Sequence, residues 1–378
     1  MKYCTKCVMP DTKPELTFDE EGVCNACRSH ERKRGDINWE QRASEFLQIV
    51  HNCKKNTGYD VLIPVSGGKD STYQTIKALE LGLKPLCVCF EPTIATELGK
   101  KNLDNLQNLG VDLILVKKDP KTYKSMVIEG FKVLGDNEWP DHLGIFTVPV
   151  HFAVKFKIPL ILWGENSQFE YGGPASSIDN KYLNRRWLEE FGGLLGYRVE
   201  DMIGVNDIKK KDLYLYEYPS DEEIEEVGVT GVFLGYYFSW DTRRQTEKVI
   251  EQGFSVSPRH IETTYTNFEN LDCHSMTVHD YLKYVKYGFG RATDHACLDI
   301  RNKDITREAG VRLTNRYDGK YPHEAIYEFC KYTGLTKEEF DNIVDSFTNK
   351  KIFITDELAR FKKDIDGSLI KKEEFILR

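Results

Sequence analysis

Residues 60–72, DVLIPVSGGKDST, place a glycine turn between a short apolar run and a polar segment that can begin a helix. A turn of this kind after a buried strand directs backbone N–H groups, and the positive end of the next helix, at an anion. Its spacing matches neither the longer Walker A loop nor the dinucleotide fingerprint G-x-G-x-x-G. The short turn therefore predicts a grip on a terminal pyrophosphate, which suits cleavage between the α- and β-phosphates of a nucleotide.

Short apolar runs and helical patterns alternate along the chain from residue 59 onward. Strands that alternate with helices predict an α/β fold built on a doubly wound parallel sheet. Ligands of such sheets bind at the carboxyl ends of the strands, so residues 89–99, 163–173 and 236–244 are expected to line the same crevice as the glycine turn. The predicted strands are residues 60–65, 85–90, 112–117, 159–164 and 231–238.

Composition and charge narrow the class of protein. The chain has 378 residues, of which 40% are hydrophobic, and a formal net charge of -8. This length predicts two to three domain-sized units, or one α/β core with insertions. No apolar run approaches the roughly 18 residues of a membrane helix, and MKYCTKC at the start has no signal-peptide core, so we expect a cytoplasmic protein with no membrane partner. The acidic balance also disfavours nucleic acid, whose binding depends largely on Lys and Arg.

Four of the ten cysteines form two pairs near the start of the chain. Cys4-x2-Cys7 and Cys24-x2-Cys27 are separated by sixteen residues, a spacing typical of a tetrahedral zinc site. The segment between the pairs has too few apolar residues for a core of its own, so a bound metal would supply its stability. Four thiolates leave no open coordination position, which favours structural Zn²⁺; an iron–sulfur cluster is the alternative.

The sequence SGGKDS after a buried strand, which we call the SGGKDS loop (residues 66–71), resembles the pyrophosphate loop of the ATP pyrophosphatases. That group contains GMP synthetase, NAD synthetase, argininosuccinate synthetase and the tRNA thiolases, and the resemblance implies their adenine nucleotide α-hydrolase-like fold of the HUP type. Further segments make most of residues 1–310 similar to the N-acetyl sugar amidotransferases. They are CTKCVMPDT, CNAC, TELGKKNLDNL, WGENSQFEYGG, FLGYYFSWD and KYGFGRATDHACLDIRNKDITREA.

This second resemblance implies a reaction and its partners. Members of the family convert an acetamido group of a nucleotide-linked or nonulosonic sugar into an acetamidino group for lipopolysaccharide or other surface glycans. The expected cofactors are ATP and Mg²⁺ beside the structural Zn²⁺, and the expected products include AMP and pyrophosphate. The family also implies a partner glutaminase subunit that supplies ammonia.

The motifs divide the chain into four regions. A zinc ribbon is predicted for residues 1–30 and a connecting helix for residues 31–56. Residues 57–310 would form the pyrophosphate-loop ATP-binding domain, with an insert at about 172–228, and residues 311–378 a helical C-terminal region. The insert looks too polar for core and too long for a plain loop, so we expect it to act as a lid or to set specificity.

The resemblance assigns the SGGKDS loop to the pyrophosphate end of ATP. Lys69 would stabilise the charge that accumulates there, and Asp70 would help to hold Mg²⁺, although capping the next helix is an equally good interpretation of Asp70. Lys286 and Arg291 flank a glycine pair and would fold over a phosphate, whereas alone they would indicate a solvated basic helix end. The expected contacts of the pyrophosphate beside Lys69 are Ser66, Gly67, Gly68, Asp70 and Ser71.

Acidic and amide side chains follow the fourth predicted strand. We predict Glu165 as a catalytic residue and Asn166 and Glu170 as substrate contacts, since these groups can bind metal, orient a sugar or take a proton from ammonia. Glu97 is a further predicted substrate contact, and Asp241 is a weaker candidate. Each of them is also a plausible helix cap.

Two alternatives belong to other classes. A zinc-containing tRNA thiolase of the same superfamily would carry further cysteines close to the loop as sulfur carriers. Cys87 and Cys89 instead lie inside a predicted strand, where a small buried thiol is the ordinary interpretation. A non-enzymatic ribbon subunit with a vestigial ATP site is disfavoured by the intact SGGKDS loop.

Overall fold

A six-stranded sheet organises the protein. The computed structural model describes the backbone of residues 1–378 and every side chain except that of Ala175. The strands are β1 (Val61–Pro64), β2 (Pro85–Phe90), β3 (Asp112–Val116), β4 (Leu160–Trp163), β5 (Tyr182–Leu183) and β6 (Thr230–Phe233). They lie in the order β3-β2-β1-β4-β6-β5, and all are parallel except β5, which runs antiparallel to β6. The strand order reverses between β1 and β4, so the doubly wound parallel sheet is confirmed.

Helices surround the sheet and continue beyond it. In chain order, the first helices are α1 (Asn25–Gly35), α2 (Trp39–Cys53), α3 (Lys69–Glu80), α4 (Glu97–Asn108), α5 (Pro120–Leu134), α6 (Trp139–Lys155) and α7 (Ser167–Tyr171). Then follow α8 (Ala175–Ile178), α9 (Arg185–Phe191), α10 (Asp221–Val227), α11 (Leu234–Tyr237) and α12 (Thr242–Glu251). The later helices are α13 (His274–Tyr287), α14 (Arg291–Asn302), α15 (Arg307–Tyr317), α16 (His323–Thr333) and α17 (Lys337–Phe347).

The strands send alternate side chains into two apolar layers, as the period of two in a strand requires. Leu62 packs in the layer that also holds buried residues of α5, α6 and α13. Its neighbours Val61 and Ile63 pack in the opposite layer, with buried residues of α2, α3 and α4. Helices cover both faces of the sheet, so a ligand can reach it at the carboxyl ends of the strands. The SGGKDS loop follows β1 at this edge.

Two sequence-based boundaries are wrong. The single connecting helix predicted for residues 31–56 is two helices, because the side chain of Asn38 accepts a hydrogen bond from the backbone N–H of Gln41 (3.0 Å) and starts α2 anew. The strand predicted for residues 231–238 ends at Phe233. There the N–H of Gly235 donates to the carbonyl of Gly164 (3.0 Å), which turns the chain into the short helix α11.

The insert at residues 172–228 belongs to the core. It contains β5, three α-helices (α8, α9 and α10) and three 3-10 turns at Val199–Met202, Val205–Asp207 and Lys210–Tyr216. Trp187, Met202 and Leu213 are buried in the same layer as α6. The expectation that the insert is too polar for core is therefore wrong, since single apolar residues along polar segments carry the packing.

The C-terminal region is helical through α17 and then changes character. Residues 348–378 form isolated antiparallel bridges, such as Phe353 with Lys371, and a 3-10 turn at Glu373–Phe375. No helix in the described part of the chain is both long and apolar enough to span a membrane.

Candidate functional site

The SGGKDS loop lies at the carboxyl end of β1 and leads into α3. Gly67 has a φ of +83°, and a Cβ there would lie 2.9 Å from the carbonyl oxygen of Gly99 and 2.9 Å from the backbone nitrogen of Leu103. Both facts require glycine at this position. Gly68 begins α3 without a side chain that could cap it, which leaves the first N–H groups of the helix to an external anion.

Lys69 carries the central charge of the loop. Its side chain is 3% exposed, and its Nζ lies 2.6 Å from Asp70 Oδ2 and 3.0 Å from Glu269 Oε1. Burial alone would lower the pKa of Lys69, but the two carboxylates outweigh it and raise that pKa above its usual value. Lys69 is therefore a fixed cation at the start of α3. Asp70 pairs with it instead of capping the helix.

Glu165 follows β4 and lies beside the same pair. It lines a narrow cavity of about 20 Å³ together with Lys69, Asp70, Glu170 and Glu269, which we call the small cavity. Burial, and then the nearby Asp70 carboxylate, raise the pKa of Glu165 to about 7. The small cavity is about the size of one water molecule, so a nucleotide can enter only if the side chains around it move.

The segment that carries Glu269 packs against residues 95–99, which lie next to the SGGKDS loop. Cys273 forms an antiparallel bridge with Ala95, and the N–H of Thr96 donates to the carbonyl of Asp272 (3.0 Å). A Cβ on Gly99 would lie 2.5 Å from the Cα of Asp272. Within the TELG sequence, the glycine is therefore the residue that this close approach requires.

A much larger cavity of about 550 Å³, which we call the large cavity, lies on the other side of Tyr171. Tyr171 lines both cavities, and burial raises its pKa well above the ordinary value. Lys286 and Arg291 lie in the wall of the large cavity and not in that of the small one. Arg291 Nε lies 3.1 Å from Asp280 Oδ2, and Lys286 Nζ donates to the carbonyl of Gly135 (3.0 Å).

Two predicted substrate contacts form hydrogen bonds within the protein itself. Asn166 caps α7 through its Oδ1 and donates from Nδ2 to the carbonyls of Ser177 and Asn180 (2.9 and 3.1 Å). Glu170 is buried, and its carboxylate accepts a hydrogen bond from Lys33 (2.7 Å). Glu170 also lines the small cavity, and the substrate role of both residues stays a prediction.

Glu97 also needs correction. Its side chain is 91% exposed, pairs with Lys100 (2.7 Å) and lines neither cavity. Thr96, and not Glu97, caps α4. Asp241 caps α12 by accepting from the N–H of Arg244 (3.1 Å), which agrees with the ordinary interpretation given above.

The four paired cysteines converge as predicted. Their sulfur atoms are buried and lie within 4.8 Å of one another, with Cys4 to Cys27 at 3.9 Å and Cys7 to Cys24 at 3.7 Å. A zinc tetrahedron with Zn–S bonds of about 2.3 Å has edges of about 3.8 Å, so these four residues fit the ion. Backbone N–H groups donate to the sulfurs, for example from Cys24 to Cys4 Sγ (3.3 Å), as a thiolate site requires.

Arg301 connects this metal site to the wall of the small cavity. It is buried, its Nε lies 3.5 Å from Cys27 Sγ, and its Nη1 donates to the carbonyl of Glu170 (2.7 Å). Lys33 Nζ joins the same network, since it donates to Glu170 Oε1 and to the carbonyl of Trp240, both at 2.7 Å. The guanidinium is placed to offset the negative charge of a tetrathiolate centre.

Sequence reasoning missed the residues that come from distant segments. Glu269 lies outside the segments that carry the resemblance, and no role was predicted for Tyr171 or Arg301, although both lie inside such segments. No role was predicted for His279, and in the structure its Nδ1 lies 2.9 Å from Asp136 Oδ1. Arg301 lies in the same recognised segment as Arg291, which is the signal that could have found it, whereas Glu269 lies before that segment and carries no such signal.

Residues 262–365 match the family described as LPS biosynthesis protein WbpG-like, C-terminal domain. This segment contributes Glu269 to the small cavity, Lys286 and Arg291 to the large cavity, and Arg301 to the cysteine cluster. The match supports the resemblance to the N-acetyl sugar amidotransferases. A search of curated proteins gave no match.

Two solved structures align over 60% of this chain and 100% of their own. They are NMN synthetase from Francisella tularensis, with 11% identity and a TM-score of 0.29, and the NH3-dependent NAD synthetase from Campylobacter jejuni, with 12% identity and a TM-score of 0.28. A trans-2-enoyl-CoA reductase from Clostridium aligns with a TM-score of 0.13 and 15% identity, over 88% of this chain and 81% of its own. Similarities this low carry no argument about the activity of this chain.

Proposed function

We propose, from the WbpG-like match of residues 262–365, that this protein is an ATP-dependent amidotransferase acting on the acetamido group of a sugar for lipopolysaccharide or other surface glycans. The observation that carries the proposal is the 3.0 Å contact between Glu269 of the matched segment and Lys69 of the SGGKDS loop. The segment that matches LPS biosynthesis proteins and the anion-binding loop therefore meet at one site.

The reaction needs a better leaving group than an amide oxygen. Nitrogen donates electrons into the amide carbonyl and makes its carbon a poor electrophile. In the proposed first step the amide oxygen attacks the α-phosphorus of ATP, the α–β anhydride bond breaks, and pyrophosphate leaves. Ammonia then adds through its lone pair to the activated carbon, and AMP leaves with the former amide oxygen.

The SGGKDS loop supplies positioning and charge for the first step. Lys69 is a buried fixed cation, and the N–H groups at the start of α3 have no side-chain cap. Together they would bind the pyrophosphate as its negative charge develops. Asp70, Glu165 and Glu269 offer carboxylate oxygens, the ligands that Mg²⁺ prefers, and would hold a Mg²⁺ ion that neutralises phosphate charge.

Glu165 is the proposed proton acceptor for the second step. Its pKa, raised to about 7, lies near neutral pH, where a general base is most effective. Addition of ammonia leaves an extra proton on nitrogen, and the Glu165 carboxylate would take it. We further propose that a separate glutaminase subunit delivers the ammonia, as the resemblance implies.

The tRNA thiolase alternative gains no support from the cysteines near the loop. Burial raises the pKa of Cys87 to about 12 and that of Cys89 to about 12. Both thiols lie inside β2 and are fully buried. A sulfur carrier needs an accessible thiolate, so these residues fit a structural role.

The test is product analysis with the full chain. The chain is incubated with Mg-ATP, ammonium and a panel of acetamido nucleotide sugars and nonulosonic acids, with bulk tRNA as a separate arm. We expect sugar-dependent AMP and pyrophosphate, and a product whose mass falls by the difference between O and NH. AMP formation that depends on tRNA and ignores every sugar would overturn the proposal.

A variant pair ties the activity to the loop. Lys69→Met should lower AMP formation by roughly 10²-fold or more, the usual cost of removing one transition-state donor. Lys100→Met, at an exposed lysine of α4, is the matched control and should retain full activity. Equal activity of the two variants would disconnect the SGGKDS loop from catalysis.

A further inference from the structure

Glu269 belongs to a short stretch of chain, residues 268–270, that lies between two anchored segments and that we call the gate segment. Before it, the carbonyl of Asn267 accepts a hydrogen bond from the N–H of Ser257 (2.8 Å). After it, residues 271–273 pack against the start of α4. Among the described residues, no backbone–backbone hydrogen bond reaches the gate segment itself. Its position therefore depends on its side chains.

Asn270 provides the side-chain contacts next to Glu269. Its Nδ2 donates to Asp280 Oδ2 (2.6 Å), and its Oδ1 accepts from Arg291 Nη2 (3.3 Å). Arg291 Nε also lies 3.1 Å from Asp280 Oδ2, so the three side chains form one cluster. Burial alone would raise the pKa of Asp280, but the charges of Arg291 and Lys283 outweigh it and lower that pKa. Asn270 is therefore bonded to an ionised carboxylate on α13 and to a cation at the start of α14.

The backbone of Asn270 also depends on these bonds. Its φ is +52°, in the left-handed region that asparagine adopts more readily than most residues other than glycine. A residue in this region stays there only when its surroundings hold it. Asn270 lines neither the small nor the large cavity. Any effect of Asn270 on a ligand in the small cavity must therefore act through another residue, and Glu269 is its neighbour in the chain.

We infer that Asn270 is a positioning residue for nucleotide binding, because it holds the Glu269 carboxylate on Lys69 and thereby keeps the small cavity closed to phosphate. When the bonds of Asn270 break, the gate segment can move between its anchors. The Glu269 carboxylate then leaves the ammonium of Lys69 to an incoming phosphate oxygen. This inference rests on the proposed function, since that proposal assigns pyrophosphate to the SGGKDS loop.

The bonds that hold the gate segment lie at the wall of the large cavity. Arg291 lines the large cavity, whereas Glu269 lines the small one. Asn270 joins the two walls, because it is bonded to Arg291 and adjoins Glu269 in the chain. Opening of the small cavity therefore breaks a contact in the wall of the large cavity.

Binding of inorganic pyrophosphate to the full chain, without Mg²⁺, tests the inference. Asn270→Gly removes both side-chain bonds, leaves the net charge unchanged and introduces a residue that tolerates the φ of +52°. In isothermal titration we expect this variant to bind pyrophosphate about fivefold or more tightly than the wild type, because losing two hydrogen bonds favours the open form. Loss of a residue that only supports the fold would not strengthen binding, so an unchanged or weaker affinity would overturn the inference.

A second variant and a control accompany this measurement. Asn270→Ala loses the same two bonds and should also strengthen pyrophosphate binding, which covers the case in which a glycine unfolds the gate segment. Asn206→Gly is the matched control, since Asn206 also has a positive φ (46°) but is exposed and lines neither cavity. It should leave the affinity unchanged. An equal gain in Asn206→Gly would refute the assignment.

A double substitution tests whether Asn270 acts through Glu269. Glu269→Gln removes the competing charge, so adding Asn270→Gly to it should change the pyrophosphate affinity by less than about twofold. Gains that multiply in the double variant would show that Asn270 acts independently of Glu269, and would overturn the inference.

Failure here is distinguishable from failure of the proposed function. Tighter pyrophosphate binding by Asn270→Gly, without sugar-dependent AMP from the wild type, supports the gate segment and contradicts the amidotransferase reaction. Sugar-dependent AMP from the wild type, with equal pyrophosphate affinity in Asn270→Gly, supports the reaction and contradicts the gate segment. No pyrophosphate binding in the wild type or in any variant would contradict both the gate segment and the role proposed for the SGGKDS loop.

Discussion

Glu269 holds the position on Lys69 that the pyrophosphate of ATP would take. Its carboxylate lies 3.0 Å from Lys69 Nζ, and the small cavity between them and Glu165 is about 20 Å³. An incoming phosphate must therefore compete with a charge that the protein itself supplies. We predict that Glu269→Gln strengthens the binding of pyrophosphate in the absence of Mg²⁺.

The structure bounds the size of this effect. At an effective dielectric constant of about 20, two charges 3.0 Å apart attract by roughly 5 kcal/mol. Most of that is offset by the cost of removing both groups from water, and Lys69 keeps its second partner, Asp70, after the substitution. A net gain of about 1–2 kcal/mol is expected, or roughly 5–30-fold in affinity.

Isothermal titration with inorganic pyrophosphate measures this directly. Glu251→Gln, at an exposed position near the end of α12, removes the same charge from the protein without touching Lys69. A weaker or unchanged affinity of Glu269→Gln, relative to that control, would refute the competition argument. Repeating the titration with Mg²⁺ and an ATP analogue separates the competition from metal binding, since loss of a Mg²⁺ ligand acts in the opposite direction.

Three further predictions concern the loop, the metal and pH. Gly67→Ala should lower the free energy of unfolding by about 1–3 kcal/mol in urea melts, because φ is +83° and backbone atoms lie 2.9 Å from the new Cβ. Gly68→Ala, at φ −78°, should lower the free energy of unfolding by less. Cys24→Ser should abolish stoichiometric zinc binding, and Arg301→Met should speed the loss of zinc to a chelator. A colorimetric zinc assay measures both. An unchanged release rate in Arg301→Met would show that Arg301 does not support the metal site. The raised pKa of Glu165, about 7 against an unfolded value of 4.5, means that the free energy of unfolding falls as pH rises between those values. Glu165→Gln should therefore match the wild type at pH ~4.5 or below and exceed it at pH ~8 by at most about 3.4 kcal/mol. An equal difference at both pH values would contradict this origin.

The sheet could be predicted because its signals are local. The runs of apolar residues that became β1 to β4 and β6 carry their own pattern, and the SGGKDS loop identifies the carboxyl end of β1 without further information. The convergence of the four cysteines follows from spacing that the zinc geometry dictates. These are the features in which sequence neighbours decide the structure.

The walls of the site could not be predicted in this way. Glu170 looks like a ligand at the end of a strand until Lys33, from α1, is seen to contact it. Asn166 donates to the carbonyls of Ser177, Ile178 and Asn180, contacts that a sequence pattern does not reveal. Glu269 becomes a site residue through its contact with Lys69, a residue far away in sequence. Tertiary partners decide these cases, and local propensity carries no information about them.

The surroundings of the cysteine cluster set an order on the assembly of the protein during synthesis. Arg301 follows Cys27 by 274 positions, so at about 5–20 residues per second the ribosome delivers it on the order of half a minute later. Until then four thiols face the cell without their buried cation or the apolar cover of Phe289 and Cys297. Zinc captured on the nascent chain would cover these thiols in that interval.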